Sequence, residues 1–473
     1  MVSSKRIGRF MLAAGTVVAL VARPAPAVAQ AAPAARQLAR DILQELIAIN
    51  TTDSAGNTTV AAEAMAVRLR AAGVPAADIR VLGPHPRKGN LVARLRGRNA
   101  TGKRPLLLLA HLDVVEARRE DWSLDPFQLT ERDGYFYGRG TSDDKGMAAA
   151  FIANLIRYRQ EGFIPDRDLI VALTADEEGG DHNGVQWLLE QHRDLIDAAY
   201  ALNEGGDGQL FRGKRLLNQV QASEKVYQSF RLEVRNRGGH SSRPEKDNAI
   251  YHLAEGLARL AQFDFPVSLN DVTRAYFQRM SAIDTGQLAA DMRAVAAVEP
   301  EPGAVGRLSA VPYYNALLRT TCIATRLEGG HADNALPQLA RALVNCRILP
   351  GESPVEVRRT LIRVLADTQI AVAPVEEARP SPPSPLTPEV LGAIERVTAT
   401  LWPGVPVVPV MATGATDGLF LRNAGIPTYG VSGLFEDIED VRAHGRDERI
   451  GVTAFYQSQD FLYRLVKALA AGR

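Results

Sequence analysis

Short, nearly continuous apolar runs punctuate the chain. Leu106 to Ala110, Leu169 to Thr174, Ala198 to Leu202 and Ile426 to Val431 read as strands buried on both faces, because a half-exposed strand would alternate with polar residues. Between them the spacing turns helical, from Ala35 to Ala48, from Val60 to Ala72 with a stop at Gly73, and from Met147 to Gln160. A further strand falls at Asn90 to Leu95. Strand and helix alternating in this way predict an α/β fold, a mostly parallel sheet covered by helices.

Near Glu224 the pattern changes. Val226 to Asn236 alternates apolar and polar residues, a helix spans about Asn248 to Gln262, strands follow at Thr320 to Leu327 and Leu339 to Ile348, Ser353-Pro354 opens a helix to about Ala366, and Gln369 to Val375 closes the set. The order is β-α-β-β-α-β, ferredoxin-like, with a helical excursion between its first helix and second strand. Signals of the first type resume after residue 389, beyond a Pro/Ser-rich stretch from Arg379 to Pro388. The expected organisation is therefore one domain in two parts, 30–223 and 377–473, with 224–376 inserted as a second. A hairpin loop over 329–338 has its midpoint between 333 and 334, which sets Cys322 opposite Cys346 to within one residue. The pair suits a disulfide in an oxidising compartment, or two small core residues.

Residues 1–29 carry Lys5, Arg6 and Arg9, then an apolar segment from Phe10 to Ala22, then Ala27-Val28-Ala29, the form of a secretory signal peptide. An exported protein, periplasmic or secreted, is expected. Removing the leader with its four basic residues takes the formal charge from +1 to −3. A near-neutral chain has no electrostatic basis for binding nucleic acid or an anionic membrane.

Chemistry gathers just past the apolar strands. His111-Leu112-Asp113, Asp176-Glu177-Glu178, Asn203-Glu204 and, after a loop, His444 each follow one of them. In open α/β sheets, residues beyond the carboxyl ends of the strands share one crevice. A fifth stretch, Gly138 to Gly146, sets Asp143 and Asp144 side by side between glycines at the mouth of a helix, where two carboxylates need a compensating charge. Two histidines and several carboxylates without a thiolate suit Zn2+ or another first-row divalent ion. A carboxylate bridging two ions about 3.5–4 Å apart permits a nucleophilic water at neutral pH. Of Glu177 and Glu178, one suits a metal ligand and the other a general base, and Asp113 is placed to orient the His111 ring.

Together with Gly239-His240-Ser241-Ser242-Arg243-Pro244 and the Gly414 to Arg422 segment, these motifs resemble, in order and over nearly the whole chain, the co-catalytic di-zinc metallopeptidases. That family includes glutamate carboxypeptidase, Gly-Xaa carboxypeptidase, aminoacylase, carnosine dipeptidases and succinyl-diaminopimelate desuccinylase. The resemblance implies two Zn2+ per chain, one on His111 and Glu204 and the other on Glu178 and His444, bridged by Asp143, with a cis Asp143-Asp144 peptide and Glu177 as general base. It implies that the inserted segment is a dimerisation or lid domain, that the chain is a homodimer, and that His240 reaches the partner subunit's site to stabilise the oxyanion. Asn334 and Arg347 match positions that contact substrate, Arg347 as a bidentate partner for a terminal carboxylate. One departure is Leu419, where many relatives carry an arginine; Arg422 or Arg347 is then the candidate replacement. The expected function is hydrolysis of the C-terminal peptide bond of small peptides in the manner of Gly-Xaa carboxypeptidase, with N-acyl-amino-acid amidohydrolysis as the alternative. A catalytically silent peptide-binding protein is the outside reading, disfavoured by the presence of Glu177.

Overall fold

The computed structural model describes residues 33–98 and 102–471, so the expected signal peptide lies outside the described residues. The sheet that carries the predicted apolar runs holds ten strands. At its centre Leu169–Thr174, Leu106–His111, Tyr200–Asn203 and Thr428–Gly430 lie side by side and parallel. Alternate residues of these runs enter two different cores. Leu106, Leu108, Val171 and Leu173 face the helices Pro33–Ala48, Lys145–Gln160 and Val452–Ala470, whereas Leu107, Leu109, Ile170 and Ala172 face Val185, Leu188 and Leu421 on the opposite side. Burial on both faces accounts for the absence of alternation.

Further strands, mostly in antiparallel pairings, extend the sheet at both sides. Asn90–Leu95 and Ile79–Leu82 add one margin, and the long strand Lys214–Glu224, with Gly208–Phe211 and Val407–Ala412 paired to it, adds the other. Among the described residues, no helix is long and apolar enough to cross a membrane.

The second sheet has the order Thr321–Gly329, Leu339–Ile348, Val226–Arg235, Ala371–Pro374, all antiparallel, which is the ferredoxin-like arrangement. Helices Ala249–Ala261 and Pro354–Leu365 cover one face through Phe230, Leu232, Leu253, Val344 and Leu361. The helical excursion behaves differently. Val272, Phe277, Met292, Val295 and Leu317 join the core of the larger sheet, and Arg279 Nη1 donates to Glu395 Oε1 and to the Val407 carbonyl, both at 2.7 Å. Its apolar faces bury more completely against the larger body than against a four-stranded sheet whose covered face is already occupied by two helices.

Cys322 and Cys346 sit directly opposite each other in the ladder and form a disulfide. It closes a loop of 24 residues, for which chain entropy gives a stabilisation of about 3 kcal/mol. The Cys322→Ser/Cys346→Ser protein is expected to lose about that much unfolding free energy, seen as a lower denaturant midpoint. An unchanged midpoint would leave the bond without a stabilising role.

Candidate metal centre and general base

Three neighbouring parallel strands end at the same edge of the sheet, and each delivers an acid or a histidine there. His111 is the last residue of its strand, Glu177 and Glu178 follow Thr174, and Glu204 follows Asn203. Asp143 comes from the glycine-flanked loop ahead of Lys145–Gln160, and the Asp143-Asp144 peptide is cis. His444 enters from a loop beyond Phe435–Asp437.

His111 Nε2 lies 3.0 Å from Asp143 Oδ1 and 3.8 Å from Glu204 Oε1. His444 Nε2 lies 3.0 Å from Asp143 Oδ2 and 2.9 Å from Glu178 Oε1. Asp143 thus presents one oxygen to each histidine. Donors bound about 2.0–2.1 Å from a tetrahedral ion stand roughly 3.3 Å apart, so both groups have the spacing of a coordination shell. Donor atoms of His111, Glu177 and Glu204 also lie within 4.8 Å of one another.

The charge balance supports the same conclusion. Burial pushes the Glu204 carboxyl well above its ordinary range, opposed by His111 and reinforced by Glu177 and Asp143. Glu177 is likewise raised well above its range by burial, with His111 opposing and Asp417 and Glu178 adding to the effect. Burial also works against ionisation of Asp143, but its hydrogen bonds with His111 and His444 hold the carboxyl well below the usual range. So many acids in one buried crevice call for positive charge beyond two imidazoles.

Supporting groups fix these side chains. The His111 ring is held through Nδ1, but by the main-chain carbonyl of Asp113 at 3.0 Å; the Asp113 carboxylate expected to orient it stands 3.6 Å away, outside hydrogen-bond reach. That carboxylate accepts the Glu178 N–H instead, at 2.9 Å. Asp176 adopts a left-handed φ of 57°, locked by Lys88, whose Nζ lies 2.5 Å from Asp176 and 2.6 Å from Asp53. Glu448 accepts the N–H groups of Gly140, Ser142 and Asp143 on one oxygen and binds Arg139 with the other at 2.6 Å. Arg139 also donates to the carbonyls of His444 and Gly445 and stacks on Trp122. The Arg139–Glu448 pair, 3% and 0% exposed, thereby ties the loop bearing Asp143 to the loop bearing His444.

Lys88, Arg139 and Glu448 escape a reading of the sequence, since no local pattern marks a charged residue for burial against a partner far along the chain. The other predicted residues lie elsewhere. His240 and Asn334 share a small exposed ribbon in which Gly239–His240 pairs with Ala335–Leu336, and Ser241 N–H donates to the Asn334 carbonyl. Arg347 stacks on Tyr227 and donates to the Thr413 carbonyl at 3.3 Å. Arg422 is committed to a buried ion pair with Glu224 at 2.7 Å and is not available to a ligand.

Residues 107–468 match the model of Peptidase family M20/M25/M40. The chain is 31% identical over 375 residues to the human N-fatty-acyl-amino acid synthase/hydrolase PM20D1, covering 77% of this chain and 74% of that protein. It is 29% identical over 377 residues to a probable carboxypeptidase S-like 2 of Dictyostelium discoideum, covering 77% and 71%. The fold superposes on the M20 family metallo-carboxypeptidase Sso-CP2 of Sulfolobus solfataricus with a TM-score of 0.66 at 19% identity, over 91% of this chain and 99% of the other. The chain belongs to Peptidase family M20/M25/M40 and is a hydrolase of that family.

Proposed function

We propose that the protein is a two-metal amidohydrolase that releases an amino acid from an N-acyl-amino acid. The observation that carries the chemistry is the placement of Asp143 between His111 and His444, with Glu177 beside them. His111, Glu204 and one oxygen of Asp143 would hold one Zn2+; His444, Glu178 and the other oxygen would hold the second. Two such ions supply Lewis acidity at the scissile carbonyl and a nucleophilic water at neutral pH.

Glu177 takes the proton of the attacking water on its carboxylate and hands it to the departing amine. Its burial favours the protonated form needed for that second transfer. Asp113 and Lys88 keep the acid-bearing turn in place through the Glu178 N–H and Asp176. From the ferredoxin-like segment, His240 supports the developing oxyanion in a partner copy of the chain, and Asn334 and Arg347 add polar contacts to substrate. The leader at residues 1–29 directs export.

The acyl-amino-acid reading is preferred over the Gly-Xaa carboxypeptidase expected from sequence because the 31% identical relative is an N-fatty-acyl-amino acid synthase/hydrolase. The likeness to a probable carboxypeptidase keeps peptide hydrolysis as the second reading. Amino acid release from N-acyl-amino acids and dipeptides, measured before and after chelation, separates them. Faster release from the acyl-amino acids, lost on chelation and restored by zinc, is the expected result. Faster dipeptide cleavage selects the second reading, and a folded, metal-loaded protein inactive on both overturns the proposal.

A further inference from the structure

A cleft of about 650 Å³ opens beside the general base, between the acidic turn at 176–181 and the loop at 415–420. Glu177 and Glu178 lie on one wall, and Ala415, Leu419 and Phe420 give it an apolar side. Arg379, from the irregular crossing segment after Ala371–Pro374, is the one cation among the described residues that line it. Its side chain is exposed; Nη1 donates to Gln186 Oε1 at 2.7 Å, and the guanidinium stands 5.3 Å from the centre of the Phe420 ring. A guanidinium has five N–H donors in a rigid fork, so this anchoring still leaves donors for a ligand.

Six acids also line the cleft, Asp176, Glu177, Glu178, Asp181, Glu376 and Asp417, of which Glu177 and Glu178 belong to the candidate metal centre and two others are paired. Asp176 is paired with Lys88, and Asp417 accepts the Asn183 amide at 2.6 Å. Other arginines do not serve this cleft, since Arg422 is buried against Glu224 and Arg347 stacks on Tyr227 outside it. A pre-positioned guanidinium facing apolar side chains, in the same cleft as the general base, is a recognition element for a carboxylate on an otherwise apolar molecule.

We propose that Arg379 binds a substrate carboxylate in this cleft. The proposal rests on the amidohydrolase reading for its substrate class. The carboxylate is either the α-carboxylate of the amino acid or the side-chain carboxylate of an acidic one.

The test separates binding from turnover. N-acetyl-leucine, N-acetyl-leucinamide, N-acetyl-glutamate and N-acetyl-glutamine are titrated calorimetrically into zinc-loaded Glu177→Gln protein, with and without Arg379→Gln. Losing a charge-assisted contact is expected to weaken binding about 10- to 100-fold. A loss for N-acetyl-leucine but not its amide assigns the α-carboxylate; a loss confined to N-acetyl-glutamate assigns the side chain. Arg379→Lys should restore part of the loss, as a point charge without the fork. Equal losses for all four compounds, no loss for any, or no carboxylate binding at all would overturn the role of Arg379. Turnover of the same compounds by the wild-type protein reports separately on the amidohydrolase reading.

Discussion

Glu177→Gln is expected to lower kcat by roughly three orders of magnitude while leaving the metal content at two ions per chain. Removing a positioned general base or acid typically costs 10²- to 10⁴-fold, and the proposed mechanism uses Glu177 in both capacities. Glutamine keeps the shape and the neighbouring hydrogen bonds but cannot accept the proton. Elemental analysis and rates measured on one preparation decide the matter. Wild-type activity would remove Glu177 from the mechanism, and loss of an ion together with activity would recast it as a ligand, a role its donor distance to His111 and Glu204 also permits.

Asp143→Ala is expected to empty the centre. Asp143 is the group within hydrogen-bond distance of both histidines, one oxygen to each. Without it, His111 retains Glu204 at 3.8 Å and His444 retains Glu178 at 2.9 Å, two incomplete sets with no bridge. Supporting contacts around metal ligands are worth 10- to 100-fold in affinity, so losing a ligand shared by two ions should exceed about 100-fold. Metal content after dialysis against a weak chelator is the readout. Two retained ions would refute the bridging role.

Legibility from sequence followed burial. Runs buried on both faces are unbroken and apolar, so the central strands are legible directly, and with them the acids and histidines that follow their ends. The Cys322–Cys346 register was readable because a hairpin loop fixes partners by counting. Lys214–Glu224 was not recognised, although it is the longest strand of the large sheet. Its buried positions include Asn218, Gln221, Ser223 and Glu224; Asn218 donates to Thr398 and Glu224 accepts from Thr416, partners that no local window contains. The same holds for Lys88 and for the Arg139–Glu448 pair. The acids and histidines of the candidate centre stand out by motif, whereas the charges that hold them are defined only once the chain has folded.

The helical excursion between Asp271–Ile283 and Pro312–Leu318 packs on the larger body, while the chain before and after it belongs to the ferredoxin-like sheet. The polypeptide therefore passes between the two bodies four times, near 225, 266, 319 and 380. Lys225 donates to the Arg319 carbonyl, and Arg319 pairs with Asp264, so three of these passages are also cross-linked to one another. A domain on two peptide hinges swings through a wide arc when two pairs of dihedrals change. Four passages, three of them bound to one another, restrict that swing, and a large opening requires the bonds among those three to come undone.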